Sequence, residues 1–264
     1  MKLAARVEGV GLVGPGLAGW REAREVLAGR ARYVPAPTAI PIPEALPAVE
    51  RRRAGKCVKI SLAVGLEAAA AAGRAARDMG AVFTSSTGDG ENLHAICETL
   101  ASDDRMISPT RFHNSVHNAP SGYWGIATGA THSAHSLAAF DASFGAGLIE
   151  ALGRLAAEPS QPVLLVAYDA PYPEPLHATR PIPDSFAVAI ALAAPSHSTK
   201  GPVVTLEAGC DPPDRLADAQ LEELRRRIPA ARALPLLRLL AREAPERVTI
   251  EYLDGFPLSV EATR

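Results

Sequence analysis

A chain of 264 residues with 47% hydrophobic and 21% charged side chains can bury a core as one large domain or two small ones. Its formal charge of −2, without a basic face or interleaved aromatic and basic residues, excludes the footprint of a nucleic-acid binder. Cys57, Cys97 and Cys210 are odd in number, far apart and without C-x-x-C, which predicts neither a disulfide framework nor a zinc site.

No window reaches the roughly 18 apolar residues of a membrane span, and no basic segment followed by an apolar one opens the chain. The expectation is a cytoplasmic protein with no membrane span, no metal and no cofactor. Residues 3–13 read as a short strand ending in glycine, and Trp20 to Leu27 has helical spacing. Ala36 to Pro47 is rich in proline, which forbids regular helix and favours extended chain. From Glu50 the chain turns basic (Arg51, Arg52, Arg53, Lys56, Lys59) and runs into an Ala-rich helix predicted to reach about Met79.

Ala81 to Ser86 reads as a strand, ended by Gly88-Asp-Gly90, and Glu91 to Ser102 as a helix. Ser108 to Gly122, dense in His, Asn, Ser and Pro, reads as a long irregular loop before a short helix from Gly122 to Thr128. The apolar run at Ala138 then collapses into small residues, and helical spacing resumes at Leu148, Ile149, Leu152 and Leu155. That pattern predicts a buried strand turning sharply into a helix that ends near Ala157, with Ser143 lifted onto the elbow. Pro162 to Tyr168 is a buried strand, residues 169–184 a loop with five prolines, and 185–194 with 203–207 look like a pair of strands. Leu216–Ile228 and Ala233–Arg242 are amphipathic helices, and Arg247–Tyr252 is a terminal strand. Alternating strands and helices predict an α/β layered fold.

Several motifs invite a chemical reading and have a plainer one. Gly9-Val-Gly-Leu-Val-Gly14 fits G-x-G-x-x-G, yet Pro15 and Gly16 stand where the dinucleotide-binding helix would start, so a tight strand-to-loop connection is favoured. His113 and His117 have the i, i+4 spacing of zinc ligands, but the intervening residues lack Glu and the flanking prolines predict a hydrogen-bonded loop. His94 and Cys97 lie one turn apart on a helix, where a plain core role for the cysteine is favoured. Around Ser143 the hydrolase elbow G-x-S-x-G is half present: Gly145 matches, but Asp141 replaces the first glycine. Asp141 and Ser143 also suit a plain role capping the following helix. The basic cluster from Arg51 to Lys56 reads as a solvated helix start, with a contact to phosphopantetheine or a carrier protein as the alternative.

Taken in order, these segments resemble the β-ketoacyl synthase family, and in particular its short N-terminal-domain branch related to chain-length factors. The resemblance rests on Gly9 to Gly16, on Arg51-Arg-Arg with the Lys59-Ile-Ser-Leu-Ala helix, and on the strand Ala81 to Ser86. It continues through Ser108 to Gly122 with its Asn-Ala-Pro-Ser-Gly end, Phe140-Asp-Ala-Ser-Phe-Gly-Ala-Gly147, and Val163-Leu-Leu-Val-Ala. It covers about residues 1–195. The fold it implies is α/β, a thiolase-like layered αβα fold with the N-terminal half (1–195) complete and the C-terminal half truncated. Residues 196–264 would form a reduced C-terminal part packed on the same domain.

The resemblance places Ser143 where the family carries its nucleophilic cysteine, and implies substrate contacts at Phe144, Gly145, His117 and Asn118. A thiolate forms near neutral pH at a helix N-terminus, whereas a serine hydroxyl needs an adjacent strong base. After Ser143 only His177 and His197 are available, and neither lies in a Gly-rich ketosynthase histidine motif. The expectation is therefore a non-catalytic subunit pairing with a full-length ketosynthase, or with itself, in type II fatty-acid or polyene (aryl polyene-type) biosynthesis on acyl carrier protein. The alternative is an autonomous acyl-transfer, condensing or hydrolytic enzyme using Ser143.

Overall fold

The computed structural model describes residues 2–263. In chain order the elements are β1 (Lys2–Gly14), β2 (Leu17–Ala18), α1 (Trp20–Leu27), α2 (Ala48–Arg53), α3 (Lys56–Ala72), β3 (Gly80–Thr84) and α4 (Gly90–Ala101). These are followed by α5 (Pro109–His113), α6 (Ala119–Thr128), β4 (Ala134–Leu137), α7 (Ser143–Ala157), β5 (Val163–Asp169) and α8 (Leu176–Thr179). The remainder are β6 (Phe186–Ala193), β7 (Val203–Ala208), α9 (Ala219–Arg227), α10 (Leu234–Arg242), β8 (Glu246–Leu253) and β9 (Phe256–Thr263).

All the strands described join one sheet in the order β4-β3-β5-β6-β1-β7-β9-β8, with β2 paired to β1. β4, β3 and β5 run parallel; the other pairings are antiparallel. Helices cover both faces, so the layering is α/β/α and the expected αβα fold holds.

Side-chain size decides how close each helix lies. On β6, Phe186, Val188, Ile190 and Leu192 point into the core shared with α7 and α10, while Ala187, Ala189 and Ala191 face α3. Gly9 and Gly11 of β1 face α3 as well: a Cβ at Gly11 would stand 2.1 Å from the Val64 carbonyl oxygen, and one at Gly9 2.2 Å from that of Ala68. The G-x-G-x-x-G run is thus strand interior whose missing side chains let a helix backbone approach, not the strand-to-loop connection expected. Glu67 of α3 fastens this contact by accepting from Leu12 N at 3.0 Å and Trp20 N at 2.6 Å, the latter at the N-terminus of α1.

Other expectations also change. The Ala-rich helix ends at Ala72, because Gly73 takes the left-handed conformation that closes a helix; a 3-10 turn follows at Ala76–Asp78. Residues 108–122 are not one loop: Pro109 and Pro120 fall in the first turns of α5 and α6, where a missing N–H costs nothing. β6 and β7 are both strands but flank β1 rather than pairing. The chain also does not end on the strand at 247–252, since a turn at Gly255 returns it as β9. No described helix is long and apolar enough to cross a membrane.

Candidate functional site

The strand before Ser143 is β4, four residues earlier than the apolar run suggested, and it is a half-exposed edge rather than a buried strand. Between β4 and α7 lies a 3-10 turn, Phe140–Ala142. Phe140 adopts φ 51°, a left-handed conformation costly for a bulky residue, and the residue is 62% exposed. Arg180 lies 3.5 Å above the ring centroid and pairs with Asp141, which also meets Arg232 at 3.1 Å. Asp141 is therefore occupied by two guanidinium groups and caps nothing; the residue before α7 is Ala142.

Ser143 is not lifted into the open. It is 2% exposed, and its Oγ donates to Phe140 O at 2.7 Å and accepts from Ala139 N at 3.0 Å. Both partners are backbone, and among the described residues no basic side chain bonds Oγ. His177 lies in α8, and His197 meets Ser196 Oγ instead. Phe144 belongs to the core against α10 and the sheet. Gly145 permits close packing under Tyr252, whose ring would stand 2.8 Å from an added Cβ. A cavity of about 740 Å³ opens beside the elbow and is lined by Ala139 to Ala142, Arg232 and Tyr252, but not by Ser143, Phe144 or Gly145.

The other two expected contact residues lie apart from the elbow. Asn118 precedes α6, and its carbonyl accepts from Gly122 N and Ser121 Oγ. His117 packs under Gly88, with its Nε2 buried and unpaired. His113 stands edge-on to Tyr123, and no group of residues among those described could hold a metal. Cys97 is exposed rather than core, and His94 reaches Glu98 at 3.3 Å rather than the thiol.

Two further groups lie near these helix starts, one that sequence reasoning missed and one that it singled out only as a basic run. Asp169, fully buried at the end of β5, accepts from Ser85 Oγ, Ser86 N, Ser86 Oγ and Ala230 N. Burial pushes its carboxyl above the ordinary range although these bonds pull it down. It ties β5 to the turn after β3 and to the 3-10 segment Pro229–Ala233. The second is the start of α3, where Arg51, Arg52, Arg53, Lys56, Lys59 and Arg111 line a cavity of about 830 Å³. The run of arginines signalled this cationic surface; the cavity was not legible, because Arg111 joins it only through the tertiary fold.

Residues 20–249 match the family described as Beta-ketoacyl synthase, N-terminal domain. Among solved structures, one is the ketosynthase ApeO in complex with its chain length factor ApeC from Xenorhabdus doucetiae. It aligns with a TM-score of 0.73 at 22% identity over 98% of this chain and 99% of that one. The ishigamide ketosynthase/chain length factor aligns at 0.71 and 13%, with the same coverage. A type II polyketide synthase acyl-carrier protein in complex with its ketosynthase (AntDE:AntF) aligns at 0.75 and 9%, over 100% and 99% of the two chains. At these identities the likeness is one of fold. A search of curated proteins finds no significant sequence match.

Proposed function

Because the chain belongs to the β-ketoacyl synthase N-terminal-domain family, we propose that it is a non-catalytic, chain-length-factor-like subunit. It pairs with a full-length β-ketoacyl-acyl-carrier-protein synthase in type II fatty-acid or aryl polyene-type biosynthesis. The observation that carries this reading is the first turn of α7. It holds no thiol, and its single hydroxyl, on Ser143, is buried and engaged on both sides by backbone. A hydroxyl without an adjacent base and without access to solvent or cavity has no means of becoming a nucleophile.

The surface supports an assembly role. β4 leaves one edge of the sheet unpaired, and edges of this kind are templates for a further strand. On the segment from α4 to the turn after α5, Leu93, Leu100, Met106, Phe112 and Val116 stand exposed, Met106 by 83%. Apolar side chains displayed in such number on one segment are characteristic of protein contact surfaces. Like-folded ketosynthase and chain length factor pairs among solved structures support the same partner. The partner then supplies the nucleophile, and the acyl chain arrives on acyl carrier protein.

Co-expression with a full-length ketosynthase tests the reading. The expected result is a 1:1 complex by light scattering and, after incubation with acyl-carrier-protein thioester, an acyl adduct on the partner alone. An adduct at Ser143, or two chains that remain separate while the ketosynthase is active, would overturn it.

A further inference from the structure

One edge of β1 is interrupted. β7 runs beside it only as far as Arg6, and β2 pairs with it only at Val13 and Gly14. Between these points Pro202 O accepts from Val7 N, and the Glu67 carboxylate accepts from Leu12 N. Leu12 therefore turns its backbone away from β6. Val10, two residues earlier in the same unbroken register with β6, does so too, because an antiparallel ladder alternates. The N–H and C=O of Val10 face the gap, and no partner for either stands on that side among the described residues.

The gap opens into a cavity of about 700 Å³, a volume that suits a small organic molecule. Its apolar wall includes Trp20, Ala262 and two buried leucines of α10, Leu239 and Leu240. Its charged lining sets Arg6, Arg24 and Lys200 against Glu8 and Glu243. Glu8 is already held by Arg74 and Ser198, and Arg24 lies 4.0 Å from Glu243. Arg6 and Lys200 form no salt bridge among the described residues. Their side chains donate instead to backbone carbonyls, Arg6 to Gly201 O at 2.7 Å and Lys200 to Ala71 O at 2.8 Å.

We propose that this cavity binds an N-acyl derivative of an apolar amino acid. The ligand's amide exchanges hydrogen bonds with Val10 as a residue of a neighbouring strand would, its apolar side group lies on Trp20 and Leu240, and its carboxylate sits between Arg6 and Lys200. From Val7 to Leu12 the strand covers about 17 Å at its usual rise, and both ends are already bonded. The gap therefore takes one amide unit rather than a further strand. Three basic side chains against two acidic ones leave a single positive charge, which matches one carboxylate and disfavours a multiply charged anion. The cavity shares no lining residue with the one beside the elbow, and β5 and β6 stand between β1 and β3. Binding here is thus independent of pairing with a ketosynthase.

Calorimetric titration of the full chain with N-acetyl-L-phenylalanine, its carboxamide, 3-phenylpropanoate and N-acetylglycine tests the proposal. The last three lack, in turn, the charge, the amide and the apolar group. N-acetyl-L-phenylalanine is expected to bind, and each of the others at least about fivefold more weakly. Arg6→Gln should weaken N-acetyl-L-phenylalanine about tenfold and leave its carboxamide unchanged. Ala71→Phe, at an exposed position of α3 on the cavity wall, should obstruct the site and weaken N-acetyl-L-phenylalanine at least about tenfold with little change in Tm. No binding up to about 10 mM, equal binding of any of the three lesser probes, a loss in Arg6→Gln shared by the carboxamide, or affinity unchanged in either variant would overturn the proposal.

Discussion

The helices α7 and α3 both begin without a side-chain cap, after Ala142 and Gly55, and both lie near the end of the sheet where β3 and β5 finish. At α7 the serine itself is closed off, although a cavity opens beside the preceding turn. Ser143 bonds to the backbone of its own turn, Phe144 is core, and Asp141 is held between Arg180 and Arg232. At α3 six basic side chains from Arg51 to Arg111 line an open cavity of about 830 Å³. A hydroxyl bonded on both sides by backbone is structural, whereas cations around an open space remain exposed to anions. The position at which the family resemblance placed chemistry therefore holds a sealed, backbone-bonded hydroxyl.

The contrast can be broken most severely at Gly11. A side chain there meets the α3 backbone, so Gly11→Val should cost at least about 3 kcal/mol and displace the start of α3. Urea unfolding measures the loss, which should vanish if α3 can shift without penalty.

A smaller effect is expected at Asp169. Its folded carboxyl lies above the ordinary 3.8, so its contribution to stability is full below that value and fades as pH rises through the folded pKa. Asp169→Asn removes the titration. The stability advantage of the parent over this variant should thus shrink as pH rises from about 4 through that window. An advantage independent of pH would show that Asp169 does not titrate in a perturbed environment.

The smallest effect should come from Ser143→Ala. Loss of the bond to Phe140 O and of the acceptor for Ala139 N should cost about 1–2 kcal/mol. Condensation by the assembled complex should be unaffected, and a rate fallen by orders of magnitude would make the hydroxyl reactive after all.

Much of the layered fold was legible because periodicity reports burial locally. Trp20–Leu27 and the two-residue alternation of β6 needed no knowledge of neighbours. Pro109 and Pro120 misled because a proline both breaks a helix interior and suits a first turn, and only position within the helix tells these apart. β4 was misplaced because Ala-His-Ser-Leu lacks the apolar alternation of a half-buried strand; its pairing with β3 makes it one.

The amino-acid order by itself determined most of the longer elements, the α/β class, the basic run at 51–59 and the lack of a thiol at the elbow. These follow from residue chemistry and short-range spacing. Only the tertiary structure decided that Ser143 is sealed, that Gly9 and Gly11 serve helix packing, and that Arg111 joins the start of α3. Those outcomes depend on which distant segments approach within a few ångströms, a property set by packing of the whole sheet and carried by no local pattern.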